Sequence, residues 1–217
     1  PPVAHLRVTR ILAFGDSLTE GEATPALWGL AAPQSAGVSK SYPFKLQALV
    51  AARYPAQTVS VFNAGIAGRK ASEDRSRMTD ALRATSPDLV VLMEGANDLN
   101  SIVGPGTNAQ VDFAVGSMED LVKDTVSRGI PILLGTLPPQ RSGAPKAGGV
   151  PYLEKYNRDL KTMAGKKGAI IVDVNAQFPL ALIGQDGLHP SELGYQRLAD
   201  IFFEAIKQQF EITPAGG

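Results

Sequence analysis

RILAFGDSLTEG, residues 10–21, decides the fold class. Its opening half, Arg10–Phe14, is apolar on successive positions, which marks a strand covered on both faces of a sheet. The polar, glycine-bounded turn that follows places Asp16 and Ser17 directly at the strand's carboxyl end. Four more runs share the strand character: Thr58–Phe62 (TVSVF), Asp88–Met93 (DLVVLM), Ile130–Leu134 (IPILL) and Ala169–Val174 (AIIVDV). Helical spacing fills the intervals. Phe44–Tyr54 carries Leu46, Leu49 and Val50, and Ser72 is placed to cap a helix bearing Met78 and Leu82. Phe113–Arg128 carries Met118, Leu121 and Val122, with Gly129 placed to end it. Tyr152–Ala164 carries Leu153, Tyr156, Leu160 and Met163. From Ser191 to Phe210, Leu198, Ile201, Phe202, Ala205 and Phe210 share one face. Strand and helix alternate five times, which predicts an α/β fold: a parallel sheet with helices on both faces.

The bulk composition narrows the function classes. The chain has 217 residues, 44% hydrophobic and 19% charged, which suits one domain spanning 1–217 with a sizeable core. Lys plus Arg equals Asp plus Glu at 21 each, so there is no basic excess with which to displace counterions, and no nucleic-acid partner is expected. No apolar stretch reaches the ~18 residues of a membrane span. Cysteine is absent, which removes disulfides, thiolate nucleophiles and Cys-type zinc sites. No HExxH, EF-hand or Walker pattern occurs, so neither a metal nor a nucleotide cofactor is called for. The chain starts Pro1-Pro2 without an initiator Met; a removed secretory signal and a trimmed terminus both account for this. Oligomeric state leaves no trace in the sequence.

Ligands of open parallel sheets bind beyond the carboxyl ends of the strands, and polar clusters collect there. Ser17 follows the first strand, NAGIAG (63–68) the second and GAND (95–98) the third; DGLH (186–189) lies shortly after the fifth. Hydrolysis through a serine needs a nucleophile, a base, a group that orients the base and donors for an oxyanion. The chain has two histidines. His5 sits in a terminal segment without polar company, so a His-dependent mechanism runs through His189, three residues after Asp186. Each residue also has a plainer duty: Ser17 as a helix cap, Gly68 as a turn glycine, Asn97 as a local turn former. Asp16 and Asp98 read as organisers of their loops. Two long segments, Glu22–Ser41 and Pro138–Pro151, are expected to form binding-site rims.

Together these blocks resemble the GDSL or SGNH hydrolase family, over about residues 10–190. GDSLTEG matches its first block, NAGIAG the second, GAND the third and DGLH the fifth. The resemblance implies a three-layer, flavodoxin-like sheet of five strands in the order 2-1-3-4-5, which makes the first three strands neighbours. It implies Ser17 as nucleophile, His189 as base and Asp186 as its orienter. The implied oxyanion donors are the backbone N–H groups of Ser17 and Gly68 and the side chain of Asn97, with Gly65 an alternative to Gly68. The implied substrate is a small-molecule carboxylic ester. Short acyl or acetyl esters are favoured because no extended apolar lid is apparent, and Leu18, Leu188 and Trp28 are candidate pocket walls. Lysophospholipase, thioesterase and carbohydrate acetylesterase activities are alternatives at the same site. A carbohydrate- or lipid-binding module and a nucleotide-binding flavodoxin-like protein are alternatives of another class.

Overall fold

The computed structural model describes residues 4–22 and 40–212. Its centre is a five-stranded parallel sheet: β2 (Arg10–Gly15), β3 (Ser60–Gly65), β4 (Leu89–Met93), β5 (Ile132–Gly135) and β6 (Ile170–Val172). The spatial order is β3-β2-β4-β5-β6. That is the expected 2-1-3-4-5 order once a short first strand, β1 (His5–Leu6), is counted; β1 pairs antiparallel with β7 (Glu211–Ile212) in a sheet of its own. His5 thus belongs to the terminal pairing and not to the edge where the polar clusters meet. Every residue of β4 and β5 is buried, as are Ile11–Gly15 of β2, which explains their unbroken apolar character.

Helices cover both faces. On one, α2 (Tyr42–Arg53) packs against α8 (Glu192–Phe210), with the rings of Tyr42 and Phe202 5.1 Å apart. The other carries α3 (Arg75–Thr85), α5 (Thr107–Val126) and α6 (Val150–Lys167). Three short helices sit at strand ends: α1 (Ser17–Glu20), α4 (Ala96–Asn100) and α7 (Val174–Gln177).

Several expected boundaries shift for identifiable reasons. Asn63–Gly65 continues β3, in register with Ala13–Gly15, because the neighbouring strand still offers backbone partners there. Ser72 caps no helix; it lies in a single 3-10 turn, Ala71–Glu73, and α3 begins after Asp74. Ser17 is the first residue of α1 rather than its cap. Asp16 takes the cap position, accepting the N–H of Leu18 at 2.9 Å. Leu18 is wholly buried in the core and is not among the residues that line the cleft beside Ser17. Ser191 does cap α8, accepting from Gly194.

Candidate active site

At the carboxyl edge of the sheet, β2 delivers Ser17, the loop after β3 delivers Gly68, α4 after β4 delivers Asn97, and the turn before α8 delivers Asp186 and His189. Ser17 Oγ lies 2.8 Å from His189 Nε2, although 172 residues separate them. On the other side of the ring, His189 Nδ1 lies 2.5 Å from Asp186 Oδ2. Asp186 Oδ1 accepts the N–H groups of Leu188 (3.0 Å) and His189 (2.9 Å), so one carboxylate shapes its turn and orients the imidazole together. Burial works against its charge, but the hydrogen bond and positive field of His189 and the two backbone donors outweigh it. The Asp186 carboxyl is held at about 2.

Ser17, Gly68, Asn97, Leu188 and His189 line one cleft of about 350 Å3. The two glycines of NAGIAG prove to have different surroundings. Gly65 ends β3, its N–H donates to Asn63 Oδ1 (2.9 Å), and a Cβ there would meet the Glu20 nitrogen at 2.0 Å. It is the close-approach glycine that lets α1 lie on the strand end. Gly68, with φ +79° and open space where a side chain would stand, is the one on the cleft.

The 66–72 loop is held from both ends. Ile66 donates to the Gly15 carbonyl (3.1 Å) and Ala67 to the Glu20 carboxylate. Asn97 Nδ2 donates to the Arg69 carbonyl at 2.9 Å, which leaves its second amide hydrogen for the cleft. Asp98 accepts from Ala71 (2.9 Å) and Ser72 (3.4 Å), the loop-organising duty expected of it.

Beneath the loop lies a charged cluster that the sequence did not announce. Arg77 donates to the carbonyls of Gly15 (3.0 Å) and Ala64 and to the Asp74 carboxylate, and stacks over Phe14 at 3.7 Å. Arg69 Nε meets Asp74 Oδ1 at 2.6 Å. Glu94, fully buried, approaches Arg77 to 3.6 Å and hydrogen-bonds to Asp74. Burial, the hydrogen bond to Asp74 and the nearby Asp16 and Asp74 charges push Glu94 well above the usual carboxylate range, so it keeps its proton beside an ionised Asp74. Asp16 is likewise pushed up, to about 7, by burial.

The rim also holds residues that motif reading passed over. Glu22, Pro145 and Lys146 line the cleft. The expectation for Pro138–Pro151 therefore holds for its central part. Of Glu22–Ser41 only the ends are described, and Trp28 lies outside the described residues. Lys146 and Arg141 are the two cations of a loop otherwise rich in Pro, Gly and Ala, and that isolation was the available signal.

A hydroxyl, an imidazole and a carboxylate joined in series at the edge of a parallel sheet form the arrangement that acyl transfer through a serine requires. Comparison with known proteins supports ester hydrolysis. The signature of the GDSL-like Lipase/Acylhydrolase family matches residues 13–197, and the chain belongs to that family. It is a carboxylic ester hydrolase. An acetylxylan esterase from Geobacillus stearothermophilus is 26% identical over 91% of this chain and 93% of its own length. The crystal structure of Axe2, an acetylxylan esterase from the same organism, superposes with a TM-score of 0.69 at 27% identity, covering 90% of this chain and 93% of that one. A lipase/acylhydrolase from Enterococcus faecalis shares the fold, with a TM-score of 0.73 at 22% identity over 96% of this chain and all of that one. No helix among the described residues is long and apolar enough to cross a membrane.

Proposed function

We propose that the chain hydrolyses esters of short acyl groups, acetate foremost, through an acyl-enzyme on Ser17, as one catalytic domain. His189 Nε2 takes the hydroxyl proton as Ser17 Oγ attacks the ester carbonyl. The oxyanion accepts from the backbone N–H groups of Ser17 and Gly68 and from the Asn97 amide. As the first helical residue, Ser17 has an N–H with no acceptor inside its own helix. His189 then protonates the departing alcohol, and water releases the acyl group by the same route. Asp186 keeps the imidazole in the tautomer that turns an unprotonated Nε2 toward Ser17 and stabilises its charged form.

The observation that carries this reading is the continuous series Asp186 Oδ2–His189 Nδ1 (2.5 Å) and His189 Nε2–Ser17 Oγ (2.8 Å) opening into a cleft. A fluorophosphonate that reacts with activated serines tests it: labelling at Ser17, identified by peptide mass spectrometry, is expected. A folded sample that stays unlabelled would favour a binding module instead. A chain-length series of 4-nitrophenyl esters tests the acyl preference, and faster turnover of long chains would replace it with lysophospholipase or thioesterase chemistry. The second reading, a carbohydrate acetylesterase, is favoured by the similarity to acetylxylan esterase over nine-tenths of the chain.

A further inference from the structure

We propose that Glu22 and Lys146 select the alcohol half of the ester, and that the alcohol they select is a polyol carrying a hydroxyl beside the ester oxygen. The inference rests on the Ser17–His189 reading above. That mechanism fixes where the alcohol lies: the group that protonates the leaving oxygen is His189 Nε2, so the alcohol sits against it. Glu22 Oε2 stands 3.4 Å from that nitrogen, and Glu22 Oε1 accepts from Lys146 Nζ at 2.7 Å. A hydroxyl one carbon away from the leaving oxygen therefore meets a carboxylate acceptor with an ammonium donor behind it. Hydrogen bonds to charged partners are the stronger kind.

Both side chains are mounted on fixed backbone. The Glu22 N–H donates to the Ser17 carbonyl (3.1 Å), and the Glu22 carbonyl accepts the hydroxyl of buried Tyr195 (2.5 Å). The Lys146 N–H donates to the Asp186 carbonyl (2.8 Å), and its own carbonyl accepts from Asn100 Nδ2 (3.0 Å). Asn100 spends its Oδ1 on Gly149 (2.6 Å), so it carries the loop and leaves Lys146 to face the ligand. Lys146 Nζ also lies 3.7 Å from Asp186 Oδ2. The carboxylates of Glu22 and Asp186 outweigh burial and raise the lysine above its ordinary range, so it stays charged. The two side chains remain 33% and 47% exposed. An alkyl alcohol laid over them strips water from both charges and returns no hydrogen bond, whereas a vicinal diol returns what it displaces. A fixed donor–acceptor pair also spares the ordering cost of binding.

The test compares kcat/KM for trans-1,2-cyclohexanediol monoacetate, its 2-methyl ether and cyclohexyl acetate, three substrates of one acyl group and one ring. The wild type is expected to favour the diol monoacetate over cyclohexyl acetate by roughly tenfold or more. Methylating the free hydroxyl, which removes the donor to Glu22, should erase most of that preference. Glu22→Leu and Lys146→Met should each move the diol-to-cyclohexyl ratio toward one. Fluorophosphonate labelling of Ser17 is followed in every sample. A wild-type ratio at or below one, a preference that survives methylation, or a ratio retained in both variants overturns the inference while labelling keeps the serine reading intact. Loss of labelling in the wild type overturns both.

Discussion

The two ends of β2 and β4 treat the carboxylates set beside them in opposite ways. At the amino end, Asp88 precedes β4 and accepts from the N–H of Thr9 (2.9 Å), the N–H of Arg10 (2.9 Å) and the Thr9 hydroxyl (3.2 Å), stapling β4 to β2. At the carboxyl end of the same two strands, Asp16 and Glu94 are buried, Asp16 keeps one oxygen without a hydrogen bond, and burial pushes both carboxyls up. The amino-end acid has its acceptors satisfied and serves the fold. Asp16 and Glu94 are held where burial disfavours their charge, which costs stability that the surrounding fold must supply. That asymmetry locates the chemistry independently of any motif, since strained electrostatics gather where a site must be pre-organised.

Substitutions sharpen the contrast. Asp186→Asn should lower kcat by about 10^4-fold with the fold retained, because an amide holds the wrong imidazole tautomer; steady-state turnover of 4-nitrophenyl acetate measures it, and a loss of only a few-fold would detach Asp186 from the mechanism. Arg77→Met should cost roughly 3–5 kcal/mol in urea unfolding, since Asp74 would be left buried with half its counter-charge gone. Asn97→Ala should cost about 2.7–4 kcal/mol of barrier, on the order of 100- to 1,000-fold in turnover, with little change in melting temperature. Asp88→Ala should do the reverse: about 1–3 kcal/mol of stability, seen as roughly 2–4 °C per kcal/mol, and unchanged kcat. If Asp88→Ala damages turnover as much as Asn97→Ala does, the division between the two ends fails.

The smallest effect is a pH dependence. Burial raises Asp16 from 3.8 to about 7 in the folded chain, so the unfolded chain ionises first as pH rises. The unfolded state then binds fewer protons than the folded one, and wild-type stability falls between about pH 4 and pH 7. Asp16→Asn cannot ionise, so its melting temperature should gain on that of the wild type across this window. Asp186 runs the other way: depressed to about 2, it contributes stability above pH 4 that is lost as pH falls toward 2. A difference between wild type and Asp16→Asn that stays flat from pH 4 to 7 would mean Asp16 is not buried as an acid.

Much of this was legible in the sequence, because the signals were local. Strands buried on both faces read as unbroken apolar runs, and Ser17, Asn97, Asp186 and His189 sit in short blocks at their ends. The strand order and the meeting of Ser17 with His189 came through the family resemblance, since no local pattern encodes which strands pair. The distinction between Gly65 and Gly68 was not readable, because it depends on how far β3 pairs with β2. The Arg69–Asp74–Arg77–Glu94 cluster was also hidden: in sequence it is an ordinary charged helix start plus one acid after a strand. Glu22 and Lys146 are 124 residues apart, and only the folded loops bring them together.

The loop that carries Lys146 has a second attachment. Arg141 donates its N–H to the Gly187 carbonyl (2.8 Å) and its guanidinium to the Ile183 carbonyl (2.8 Å), while Lys146 N–H reaches Asp186. The rim and the histidine turn are thus one stitched unit. Anyone randomising residues 142–148 to retune selectivity will perturb the acid–base machinery with the same mutations. Libraries that hold Arg141 fixed and retain the amide at 146 should return more working enzymes than libraries that exchange the whole loop.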